Sequence, residues 1–125
     1  MSNAGIFTRL DTVLLRVRDF QASKTWYEKT LGFVASYTSD ENKLAVFDLG
    51  GTSSLTIWQL QPGEQLVAGG ACATFPIFLA EDAKAVQQHM REQSIEVEDI
   101  QENGGVYSFG FFDPDGNRLE VCQVL

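Results

Sequence analysis

The sequence predicts an α+β fold: two tandem β-α-β-β-β modules that form a curved mixed sheet around a central cleft. Three observations carry that expectation. Strand-like and helix-like hydrophobic patterns follow one another in the same order twice. An aspartate stands at the start of each helical pattern, Asp19 and Asp82, 63 residues apart. Between the halves, residues 61–70 (QPGEQLVAGG) hold a proline and three glycines and read as a connector.

The elements follow in order. Ser2, Asn3 and Ala4 read as an expression scar, so residues 1–5 stand outside the single domain expected over 6–125, with module one at 6–61 and module two at 71–125. Residues 10–17 (LDTVLLRV) are rich in leucine and β-branched side chains, as a strand requires. Asp19 is a good N-cap for FQASKTWYEKTL, in which Phe20, Tyr27 and Leu31 share one face, Trp26 and Tyr27 pack against a sheet, and Gly32 ends the helix. Strands are expected over 33–38, 44–49 and 54–60, with turns at 39–42 and 50–51. After the connector a strand is expected over 72–79. Asp82 then caps a helix that buries Ala83, Val86 and Met90. Strands over 95–100, 106–112 and 118–124 complete the second module, separated by Asn103-Gly104-Gly105 and Asp113-Pro114-Asp115-Gly116. The two aspartates of the latter turn are expected to be solvated.

One helix covers one face of a four-stranded sheet and leaves the other in need of a partner. A second module supplies it. Two curved sheets, each shielded outside by its helix, would then face one another around a cleft lined by alternate strand residues.

Nine basic against seventeen acidic residues give a net charge of −8 at pH 7, which repels phosphate backbones and anionic lipids, so neither nucleic acid nor a membrane is the expected partner. A cationic ligand suits this charge. No apolar run approaches the roughly 20 residues of a membrane helix, and no basic flank precedes an apolar stretch at the N-terminus. Cys72 and Cys122 form no CxxC pair and read as buried thiols in a reducing cytoplasm. There is no GxSxG elbow and no glycine-rich phosphate loop.

The stretches LDTVLLRVRDFQASKTWYEKTLGF and FFDPDGNRLEVCQ, with the paired β-α-β-β-β layout, resemble the vicinal oxygen chelate superfamily, which groups glyoxalase I, extradiol dioxygenases, fosfomycin-resistance thiol transferases and bleomycin-resistance proteins. The resemblance implies a glyoxalase/bleomycin-resistance-like fold and a symmetric homodimer. It also implies four cleft positions where metal-using members place ligands, one near the start of each module's first strand and one on each module's last. Here these positions hold Thr12, Gln59, Phe75 and Glu120, and a shift of three would replace Gln59 with Thr56. Only Glu120 is a strong ligand, whereas catalytic zinc, nickel or iron needs at least three imidazole or carboxylate donors. The one histidine, His89, falls on the second helix, where it is expected to face solvent or the helix flank. No metal and no cofactor is therefore expected.

The ligand-binding cleft is expected to hold the positions the resemblance implies, Thr12, Gln59, Phe75 and Glu120, together with Leu14, Arg16, Phe47, Ile77, Tyr107, Phe109 and Cys122, although Phe47, Phe75, Tyr107 and Phe109 also read as core aromatics of which alternation sends only some inward. Glu120 is expected to project between Leu119 and Val121 into this cleft. Two roles fit it: a general base whose pKa desolvation raises, with Arg16 or Gln59 stabilising an oxyanion, or an ion-pair partner of Arg16 that orients a polar ligand. The functional expectation is a metal-independent, cytoplasmic protein that binds, and sequesters, a cationic or aromatic small molecule. The alternatives are a lyase, isomerase or transferase using Glu120, and a weak remnant metal site of the glyoxalase or dioxygenase type using Gln59, Glu120 and waters.

Overall fold

A computed structural model describes residues 5–67 and 73–125 of the chain. The expression scar at 2–4, the end of the connector and Cys72 lie outside the described residues. The chain divides into two compact units, Met1–Leu66 and Val67–Leu125, and each is a four-stranded mixed sheet carrying one helix. This is the α+β tandem-module architecture that the sequence predicts.

In the first unit the elements run β1 (Thr12–Val17), α1 (Phe20–Leu31), β2 (Val34–Ser39), β3 (Leu44–Asp48) and β4 (Ser54–Gln59). The sheet order is β1-β4-β3-β2, with β1 parallel to β4 and the other pairs antiparallel. Helix α1 begins where Asp19 Oδ1 accepts the Ala22 amide at 3.0 Å, and it ends at Gly32, whose φ of 72° suits a residue without Cβ. Its Phe20 and Tyr27 are all but fully removed from solvent, as are Val17, Ala45, Phe47, Leu55 and Ile57 of the sheet. Tyr27, Phe33 and Phe47 hold their ring centroids 5.7–5.9 Å apart.

The second unit repeats the plan as β5 (Ile77–Leu79), α2 (Ala83–Glu92), β6 (Gln101–Asn103), β7 (Val106–Phe112) and β8 (Arg118–Val124), in sheet order β5-β8-β7-β6. Asp82 caps α2 through the Ala85 amide at 3.1 Å. Ala83, Met90, Ile95, Phe109, Phe111, Leu119 and Val121 form the core, and Val86 is half-buried. His89 is exposed on α2. Among the described residues no helix is long and apolar enough to cross a membrane.

Two strands depart from expectation. β5 is short, since residues 73–76 join no ladder. The strand expected over 95–100 is broken by a bulge: Val97 bridges Phe111, while the regular ladder starts only at Gln101 opposite Ser108. Four steps on one strand thus match three on the other, which accommodates one extra residue and turns the chain locally. The first unit has the same device in its second strand, a register shift between Ala35 and Tyr37.

Candidate functional site

Strand alternation gives each sheet a helix side and a far side, and two hydrogen bonds fix which is which. In the first unit Gln59 Oε1 accepts the first helical amide, Phe20 N, at 2.9 Å. In the second, Gln123 Oε1 accepts Ala83 N at 2.8 Å. Both side chains therefore lie on the helix side and satisfy an amide that the helix itself leaves without an acceptor. The Gln59 side chain is thus turned to the helix, whereas Thr56, the alternative three residues earlier, lies on the far side with its Oγ1 2.8 Å from that of Thr12.

Three other expected cleft residues also belong to the helix side. Phe47 and Phe109 are core, 0% and 2% exposed. Tyr107 is the register partner of Gln123 and lies beneath the Lys84 ammonium of α2, 5.0 Å from the ring centroid. Alternation correctly identified two faces for these strands, but an aromatic on a half-wet sheet goes to the dry face, where its burial is worth most. Thr12, Leu14 and Arg16 lie on the far side of the first unit's sheet, Ile77, Glu120 and Cys122 on the far side of the second unit's sheet, and Phe75 meets Arg118 of that second face. Cys122 is half-buried instead of the expected buried thiol.

In the first unit this face joins the Thr12–Thr56 hydroxyl pair to Arg16. The Arg16 guanidinium stacks 4.0 Å from the Trp58 ring centroid, donates to the carbonyls of Trp58 and Gln59, and pairs with the Glu64 carboxylate. The hydrogen bond from Arg16, helped by the Gln61 amide, holds the Glu64 pKa below its ordinary value.

In the second unit the hub is Arg118, a residue outside the set expected from the sequence. It forks onto Glu98, with Nη2 2.7 Å from Oε1 and Nε 3.3 Å from Oε2. The same Nη2 reaches Glu120 Oε1 at 3.2 Å, and the guanidinium carbon lies 4.6 Å from the Phe75 ring centroid. Glu120, with a side chain 18% exposed, thus pairs with Arg118 from its own strand. The fork lowers the Glu98 pKa and raises that of Arg118, each chiefly through their mutual hydrogen bond.

Gly110 makes this arrangement possible. A Cβ there would sit 2.5 Å from Glu98 Oε1 and 2.6 Å from Arg118 Nη2, so the pair lies flat over bare backbone, and the Gly110 amide donates to Glu98 Oε1 at 3.2 Å. Arg118 could have been found by alternation, being two residues before Glu120. Glu98 could not, because the bulge after Val97 carries it out of simple register.

The Asp113 turn is also different from expectation. Asp113 is buried, and its carboxylate accepts the Asp115 and Asn117 amides at 2.9 and 2.8 Å and the Asn117 side chain at 2.9 Å. It is spent on closing the turn.

The residues at the four family positions do not fit a transition metal: two hydroxyls that bond each other, a phenyl ring, and one carboxylate engaged by arginine. Among the described residues no group of three or more His, Cys, Asp or Glu side chains is placed to hold a metal ion.

A family model described as Glyoxalase/Bleomycin resistance protein/Dioxygenase superfamily matches residues 9–121. Comparison with curated proteins gives no match. Among solved structures, a glyoxalase family protein from Bacillus anthracis is 23% identical with a TM-score of 0.80, each chain covering 100% of the other. TnmS3, an antibiotic binding protein from Streptomyces sp. CB03234, is 18% identical with a TM-score of 0.76 over 96% of this chain and 98% of that one. Lactoylglutathione lyase from Agrobacterium tumefaciens is 20% identical with a TM-score of 0.72 over 94% and 95%. At these identities the likeness concerns the fold.

Proposed function

Since the chain belongs to the Glyoxalase/Bleomycin resistance protein/Dioxygenase superfamily, we propose that it is a binding protein that holds a cationic organic molecule on the far side of its second unit without coordinating a metal. One observation carries the reading: around Arg118 stand two carboxylates, Glu98 and Glu120, so the cluster bears one surplus negative charge beside the Phe75 ring. An anion there is repelled and a cation with an apolar body is attracted. The overall charge of −8 acts in the same direction. A structural neighbour that binds an antibiotic supports a sequestering role.

Thermal denaturation with metal-free bleomycin, a cationic glycopeptide, tests this, with naphthalene-2-sulfonate as the anionic control. A ligand specific for the native state raises stability by about 2.7 kcal/mol at a hundredfold excess over Kd. The cation should raise the midpoint and the anion should not. Glu120→Gln should weaken cation binding at least about tenfold, the effect of losing roughly 1.4 kcal/mol. Undiminished binding in that variant would reject the proposal.

The reading takes the protein to be a cytoplasmic homodimer. Ile77 and Leu79 on the edge strand β5, 54% and 75% exposed, support a second copy at that edge. Leu79→Lys should then shift the mass measured by light scattering from dimer to monomer.

A second reading, general-base catalysis by Glu120, is favoured by the way Arg118 Nη2 reaches Oε1 at 3.2 Å and orients a carboxylate whose side chain is only 18% exposed. Under it, Glu120→Gln abolishes turnover of a carbonyl substrate while leaving its binding intact.

A further inference from the structure

The first unit contains a groove of about 760 Å³ where β3 begins and β4 ends, within the range of small-molecule sites and remote from the Glu120 cluster in the chain. Its apolar wall is Trp58, Leu44, Leu60 and Pro62. Strand order explains how the indole is presented. β4 lies between β1 and β3, so Arg16 from β1 meets Trp58 on one flank and Leu44, its register partner on β3, lies on the other.

Arg16 makes the groove rigid. Its guanidinium stacks on the Trp58 ring, bonds the Trp58 and Gln59 carbonyls, and holds Glu64, whose Oε1 also accepts the Gln61 amide. One cation therefore fixes the aromatic wall and the turn carrying Pro62. The opposite rim is tied down by the Gln59 amide, which donates to the Lys43 carbonyl at 3.0 Å. A groove held in shape before binding loses little entropy on binding.

The lining chemistry selects the ligand. Glu41 and Lys43 cancel in charge, so no ion is favoured. Gln61, at the end of the groove, brings a side-chain amide whose NH2 group can donate to a ligand. We propose that this groove is a second small-molecule site, taking an uncharged planar aromatic molecule that stacks on Trp58 and presents a carbonyl-type acceptor to the rim. This site does not depend on the cation reading of the second unit.

Isoquinolin-1-one, a flat neutral lactam, is a suitable probe, observed by 19F NMR of protein carrying 5-fluorotryptophan at Trp26 and Trp58. The expected result is a saturable shift of the Trp58 resonance, identified by its loss in Trp58→Phe, with Trp26 unmoved. Asn42→Phe, which fills the groove from an exposed rim position, should reduce affinity at least tenfold with an unchanged thermal midpoint. Glu120→Gln should bind the lactam as the parent does, which separates this test from that of the cation site. An unmoved Trp58 resonance at saturating probe, or full affinity in Asn42→Phe, would overturn the proposal.

Discussion

Gln59 and Gln123 do the same work in the two units, each giving its amide oxygen to the first amide of its helix. Three residues earlier, Thr56 and Glu120 occupy matching strand positions on the opposite face and share no chemistry. The same holds one strand over. Val46 pairs with Thr56 in the first unit, and Gly110 pairs with Glu120 in the second, where Glu98 and Arg118 take the space of a side chain. The dry side of each unit repeats, down to Phe47 and Phe111 opposite Leu55 and Leu119. The far side does not. A core must meet the same packing demand in both units, whereas a far face is free to carry different chemistry in each.

The shared dry side makes the aromatics the most sensitive positions. Phe47→Ala and Phe111→Ala should each cost about 3–5 kcal/mol, read as a shift in urea midpoint at constant slope. A much smaller loss for Phe47 would return it to the ligand wall that the sequence suggested. Gly110→Ala should cost about 1–3 kcal/mol through overpacking, and its Glu98 resonance should titrate at higher pH as the Arg118 fork is displaced. Val46→Ala, which clears no bonded pair, should leave every carboxylate titration where it was. Gln59→Ala and Gln123→Ala should cost about 1 kcal/mol apiece, and a large inequality would show that the two helix starts are not equivalent.

Ser23 is a place where the two helices differ on the dry side. It stands where α2 has Val86, is 2% exposed, and its hydroxyl has no hydrogen-bond partner. Ser23→Ala should therefore stabilise the protein by up to about 1 kcal/mol, measured by chemical denaturation.

The smallest expected effect is on pH dependence. Glu98 and Glu64 have folded pKa values below ordinary, so in the window between the folded and unfolded values the unfolded chain binds more protons. Their contribution is present above the unfolded value near 4.3 and is lost as pH falls through the lower folded value. Glu98→Gln and Glu64→Gln should each flatten that acid-side loss slightly, since both groups are well exposed to solvent.

Hydrophobic period, the two aspartate caps and the turn residues made the order of elements legible, because each depends on local chemistry. Faces were harder to read. A two-residue alternation states which residues share a side but not which side is dry, and placing Phe47, Tyr107 and Phe109 in the cleft reversed it for β3 and β7. The glutamine near the end of each last strand would have settled the orientation: Gln59 and Gln123 are 64 residues apart, the same spacing that relates Thr56 to Glu120. The Glu98–Arg118 fork was not legible at all, since it needs a bulge in one strand, a glycine in the next and an arginine in a third.

Charge and hydrogen bonds, in place of coordination, make up the proposed chemistry of the second unit's site. Calorimetric titration of Ni²⁺, Zn²⁺ and Fe²⁺ into chelator-treated protein tests that most directly. It predicts no stoichiometric binding tighter than that of Glu120→Gln. One ion per chain, bound tightly and released in that variant, would contradict it.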